Sequence, residues 1–154
     1  MTIKKGQKLY KFTAIGEKEI SKLAFTFIYQ ECEVIRENKL SFKVKNIESE
    51  GCFFGTKISK NEINNYFTTK EEIIKKIKEN IPILIEEIDE TLREYTELSP
   101  YYHYLIFKKQ CVEYLLKSIS KGNYINAKLV KKVNVKSKMW SEECKNKIKK
   151  KMRE

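Results

Sequence analysis

The chain has 154 residues and a formal net charge of +11. A chain of this length is one domain, or one domain with a tail, and can bury roughly 68–70% of its unfolded surface, so it needs neither disulfides nor a metal to fold. No run of about 18 apolar residues is present to cross a membrane. The N-terminal MTIKKGQKLYKF has basic residues with no apolar signal core behind them, so a cytoplasmic protein is expected.

From Leu9 to Ile58 the apolar period is two. Tyr10, Phe12 and Ala14 alternate with polar positions until Gly16. Leu23, Phe25, Phe27 and Tyr29 form the longest alternating face, followed by Val34 and Ile35. Glu37-Asn38-Lys39 reads as a tight turn, Leu40, Phe42 and Val44 alternate again, and Gly51 and Gly55 bracket Cys52, Phe53 and Phe54. Four or five short strands in this order predict an antiparallel meander. So many aromatic residues on one face predict that the sheet curls into a small barrel or lies on a helix.

Ser59-Lys60-Asn61-Glu62 has the form of a capping box, which predicts a short helix over Ile63 to Phe67. A longer helix is predicted over Thr69 to Leu98. Ile74, Ile77, Ile81, Leu84, Ile88, Leu92 and Tyr95 recur every three or four residues, and Ile73 and Ile85 widen the stripe. Thr69 and Glu72 form a second capping box. Pro82 lies inside the run and predicts either one kinked helix or two nearly collinear ones. The solvent face changes sign there, from Lys70, Lys75, Lys76 and Lys78 to Glu86, Glu87, Asp89, Glu90, Glu94 and Glu97.

The order of a strand, ISKNEINNYF and TTKEEIIKKI resembles small uncharacterised phage and prophage proteins of low-GC Gram-positive bacteria. These have a small β-barrel followed by a strand and a helix that opens with a TKEEA-like turn. The resemblance covers about residues 6 to 80. It implies a mobile-element accessory role and no particular activity. Ile73 stands where that pattern usually has alanine, and the later helices are not part of it.

Ser99-Pro100 predicts the start of the next helix, with Ser as N-cap and Pro in the first turn. Leu105, Cys111, Val112, Leu115, Leu116 and Ile119 make its stripe, and Lys121-Gly122 ends it. The short link before Ser99 predicts an antiparallel helix pair. A further helical turn is expected through Ala127, Leu129, Val130 and Val133. The stretch Val133 to Met139 reads either way, and Ser141-Glu142-Glu143 predicts the cap of a terminal helix.

The fold class is therefore α+β: an antiparallel meander or small barrel, a helical hairpin and a basic C-terminal helix. The expected divisions are residues 1–67, 68–127 and a basic tail over 128–154.

The chemistry is sparse. His103 is the one histidine, and Cys32, Cys52, Cys111 and Cys144 form no close pair, so no zinc site is expected. Neither glycine-rich nucleotide fingerprint is present. No enzyme activity, metal or cofactor is expected. Glu86, Asp89 and Glu90 leave a two-carboxylate site open.

Residues 128 to 154 hold eleven Lys or Arg against three Glu, a net +8. Lys128, Lys131, Lys132, Lys136 and Lys138 precede Trp140, and Lys145, Lys147, Lys149, Lys150, Lys151 and Arg153 follow it. Lysines neutralise phosphates without reading bases, and an indole can stack on a base. This predicts a non-enzymatic module that binds nucleic acid or a nucleoprotein. The alternative is a protein-interaction inhibitor of a host defence complex, of the anti-CRISPR type. It would act through Glu86, Glu87, Asp89, Glu90, Glu94, Tyr101, Tyr102 and His103. A membrane partner is not expected, and self-association stays open.

Overall fold

A computed structural model describes residues 2–16, 25–51, 55–122 and 125–153. Strands β1 (Lys8–Gly16), β2 (Phe25–Glu37), β3 (Ser41–Glu50) and β4 (Lys57–Ser59) pair in sequence order as one antiparallel sheet. Helices α1 (Lys70–Leu92), α2 (Pro100–Ser120) and α3 (Ala127–Arg153) follow. The chain is an α+β fold whose curled sheet precedes its helices. Leu23 and Cys52 to Phe54 lie outside the described residues.

Alternation along the strands gives the sheet two apolar faces. Leu9, Cys32, Val34, Phe42, Val44 and Ile58 close a core inside the curl, which Tyr66 completes. Tyr10, Phe27 and Tyr29 face the other way, into the core shared with the helices. Register shifts between Glu31 and Cys32 and between Val34 and Arg36 mark bulges, which bend and twist a strand as long as β2. Polar groups inside the curl are paired. Gln30 Nε2 donates to Asn46 Oδ1 at 2.6 Å, and the Tyr66 hydroxyl donates to Gln30 Oε1 at 3.2 Å.

At the end of β3, Gly51 takes φ +92°, which favours glycine, and an added Cβ would stand 2.5 Å from the Phe27 carbonyl oxygen. The last β2–β3 pair is Tyr29 with Glu50. Two residues back along β2, Asn134 of α3 takes the place of a strand residue. The Phe27 N–H donates to Asn134 Oδ1 at 2.8 Å, and Asn134 Nδ2 donates to the Phe27 carbonyl at 3.0 Å.

The short segment Ile63–Asn65 is a 3₁₀ turn without a side-chain cap, not a helix reaching Phe67. The Ser59 hydroxyl accepts from the Asn61 N–H instead of capping, and Phe67 exchanges backbone hydrogen bonds with Tyr10 beside β1. Helix α1 starts as its capping residues imply, with Thr69 Oγ1 accepting from the Glu72 N–H at 3.3 Å. The Glu72 carboxylate accepts from Thr68 Oγ1 at 2.9 Å. The helix is continuous through Pro82. Pro82 and Lys78 are both exposed, so the Lys78 carbonyl released by the proline can turn to water.

α1 ends at Leu92, not Leu98, and Tyr95 is exposed. Its buried residues are Ile73, Ile77, Ile81 and Ile88, with Ile74, Leu84 and Ile85 partly buried beside them, so the expected stripe holds as far as Ile88. Helix α2 opens at Ser99 and Pro100 as expected, although the Ser99 side chain makes no capping bond. It closes at Lys121, with Gly122 at φ +88°. Lys109 Nζ donates to Asp89 Oδ1 at 2.6 Å and ties α2 to α1.

The expectation of a basic tail with a separate terminal helix is corrected. Residues 127–153 form one helix, and it is the helix that crosses β2 and β3. Asn126 Oδ1 accepts from the Leu129 N–H at 2.8 Å, and Glu48 Oε1 of β3 accepts from the Ala127 N–H at 2.7 Å. The two oxygens satisfy first-turn donors, and the carboxylate also suits the positive end of the helix dipole. Val130, Val133, Cys144 and Ile148 are buried in the main core.

Candidate nucleic-acid interface and hairpin turn

The burial of Val130, Val133, Cys144 and Ile148 decides which way the cations of α3 point. The opposite side of the helix carries Lys128, Lys131, Lys132, Lys138, Lys149, Lys150 and Arg153, all exposed, with exposed Lys147 on its flank. None of these eight has an ion-pair partner among the described residues. At ~1.5 Å per residue the row from Lys128 to Arg153 is about 38 Å long. Asn146, Lys149, Lys150 and Arg153 line one shallow depression at its end.

Three of the expected contact lysines are held elsewhere. Lys136 Nζ sits 4.7 Å from the centre of the Tyr114 ring. Lys145 reaches Glu142 at 3.4 Å, and Lys151 reaches Glu97 at 3.6 Å. Trp140 is part of α3, but its side chain lies outside the described structure. Its proposed stacking role therefore has no placement.

The residues of the alternative site do not form one constellation. Glu86, Glu87, Glu90 and Glu94 are exposed, whereas Asp89 is half-buried and engaged by Lys109. That hydrogen bond, with the Asp89 charge behind it, raises the Lys109 pKa. Among the described residues, no group of three or more His, Cys, Asp or Glu could hold a metal ion. Tyr101 is exposed at the hairpin turn and meets Tyr95 edge-on at 5.0 Å between ring centres. Leu98 is 76% exposed beside them. Tyr102 and His103 are half-buried. His103 Nε2 lies 2.8 Å from the Glu97 carbonyl oxygen, so it is engaged within the turn.

Two further features escape a reading of the sequence. The Glu31 carboxylate is almost fully buried. It is met by Lys8 at 3.5 Å, Lys70 at 3.7 Å and the Tyr29 hydroxyl at 3.3 Å. Burial first, and then this carboxylate, push the Tyr29 pKa up. The cluster fastens β2 to the first turn of α1. A groove with Phe12, Phe27, Ile77 and Leu84 among its walls opens between β1 and the helices, with Lys11, Lys76 and Asn80 among its polar residues. Local sequence carries no signal for either, because their parts come from separated elements.

Cys32, Cys111 and Cys144 are buried and form no disulfide among the described residues, and Cys52 lies outside them. Burial, with a smaller effect of Glu31, pushes the Cys32 thiol up to about 11, and burial raises Cys144 as well. The thiolate is the reactive form. At pH 8 a disulfide reagent should label these three slowly in the native protein, and all four cysteines at once after unfolding without reductant. Rapid native labelling of Cys32 would show that the interior of the curl is open.

No protein-family model matches the chain, and neither a curated protein nor a solved structure matches it.

Proposed function

We propose that the protein binds nucleic acid, alone or in a nucleoprotein, through the solvent face of α3, and that it does so as a non-enzymatic cytoplasmic accessory protein of a mobile element. The observation that carries the reading is the row of eight exposed cations along one helix, none of them in an ion pair among the described residues. Its length of about 38 Å is close to one turn of duplex, roughly 34–36 Å. Lysine charges on such a row neutralise phosphates and read no bases, so the binding is sequence-tolerant and salt-sensitive.

If about five of these side chains meet duplex phosphates, log K should fall against log salt with a slope near −4.5, from roughly −0.9 per phosphate. K149Q/K150Q/R153Q should make the slope shallower by up to about 2.7 and leave sequence preference unchanged. Lys151 is not part of this test because it is paired with Glu97. Absence of a mobility shift at low salt, on both duplex and single-stranded probes, would reject the reading.

A second reading has its own support in the exposed Tyr95, Leu98 and Tyr101 at the hairpin turn. Aromatic residues exposed beside carboxylates suit a protein partner, such as a host defence complex inhibited in the anti-CRISPR manner. Retention of a partner by the wild-type chain but not by L98D/Y101A would favour it.

A further inference from the structure

Two exposed helix ridges on this chain carry matching patterns of opposite sign. On α1 the centre is Ile83, 57% exposed. Glu79 stands four residues before it, and Glu86, Glu87 and Glu90 stand three, four and seven after it, all exposed. On α3 the centre is Val135, 55% exposed, with Met139 58% exposed one turn on. Lys128, Lys131 and Lys132 stand seven, four and three residues before Val135, and Lys138 stands three after it, all exposed. Residues three, four and seven apart share one side of a helix, so each set is one continuous ridge about 16 Å long. None of these carboxylates or lysines has an ion-pair partner among the described residues. The two ridges therefore do not satisfy each other within one molecule.

We infer that the Ile83 ridge of α1 docks, antiparallel, on the Val135 ridge of α3 in a second copy of this chain. With Ile83 set against Val135, an antiparallel alignment brings Glu90 to Lys128, Glu87 to Lys131 and Glu86 to Lys132, and sets Glu79 against Met139, one residue from Lys138. The alignment also predicts the next position outward. Seven residues after Val135 the sign reverses at Glu142, and seven before Ile83 it reverses at Lys76, so these two meet as well. Glu142 shares its charge with Lys145 at 3.4 Å. A parallel alignment instead sets Glu90 against Glu142 and Lys76 against Lys128, which is repulsive at both ends. Opposite charges in register choose both the partner and the direction, and the exposed Ile83, Val135 and Met139 supply apolar contact between them.

Each copy carries both ridges, so the contact is heterologous. The inference does not depend on nucleic-acid binding, although both use Lys128, Lys131, Lys132 and Lys138 and would compete for them. The test is sedimentation velocity on nucleic-acid-free protein. Wild type should show a mass that rises with concentration up to roughly 1 mM, the weak range for a short exposed contact. That rise should be lost near 0.5 M salt, where the screening length falls to a few Å. E86Q/E87Q/E90Q and K128Q/K131Q/K132Q should each associate about tenfold more weakly alone.

Mixed one to one, the two variants should form a complex of one copy of each, through the one pair of intact ridges. The acidic-face variant alters no cation and should keep the mobility shift of wild type. Its loss of assembly is therefore distinct from a failure of nucleic-acid binding. A monomeric wild type at low salt, an assembly that survives either triple substitution, or a mixture that stays monomeric would overturn the inference.

Discussion

Removal of residues 127 to 154 is expected to abolish cooperative unfolding and leave a chain that exposes apolar surface. Val130 and Val133 are fully buried, and Cys144 and Ile148 are nearly so, in the core that Phe27, Tyr29 and Phe107 share. Without α3, the helix-facing side of the sheet loses its cover and Phe27 loses the Asn134 amide. A point substitution tests the same packing. Val133→Asp places a carboxylate where the fold offers no water, a cost of about 4 kcal/mol or more. Val135→Asp, two residues on and more than half exposed, should change stability by no more than about 0.5 kcal/mol. Thermal melts followed by circular dichroism check the pair. Equal midpoints would show that the phase of α3 is wrong.

Asn134→Leu is expected to cost about 1–3 kcal/mol, from about 0.5–1.5 kcal/mol for each of the two hydrogen bonds lost. The leucine is near in size but offers neither donor nor acceptor, so the Phe27 N–H and carbonyl both lose their α3 partner. Asn134→Asp keeps the acceptor and loses the donor, and should fall between wild type and the leucine variant. Urea denaturation with unchanged m-values is the measurement. A leucine variant as stable as wild type would show that water replaces the amide without loss.

The parts legible in the sequence are those whose causes are local. Thr69, Ser99-Pro100 and Lys121-Gly122 mark helix ends through residues a few positions apart, and the structure ends its helices there. Period two over residues 9 to 58 gave the strands, because alternation follows from the pleat itself. α3 was misread for a physical reason. The positions four and eight after Val133 are Ser137 and Ser141, so the stripe vanishes in the middle of the helix, while Val133 and Val135 imitate a strand.

The α1 stripe was legible from Ile73 to Ile88, and only its extension to Tyr95 fails, because the helix ends at Leu92. In the candidate interface, the charge excess was countable. Which lysines stay free was not, because Tyr114, Glu97 and Glu142 decide it from other turns and other helices.

The use of Asn134 as a stand-in for a strand residue also bears on how the chain reaches its fold. Phe27 and Asn134 are 107 residues apart, so the pairing belongs to the slow, non-local contacts that set folding rate. The hairpins and the α1–α2 pair can form from near neighbours first. Until α3 docks, the Phe27 N–H and carbonyl lack the Asn134 amide, and a passing strand can take its place. Refolding is therefore a race between α3 and a second chain for the same peptide group. Dilution should favour α3, and crowding with unfolded copies should favour aggregation.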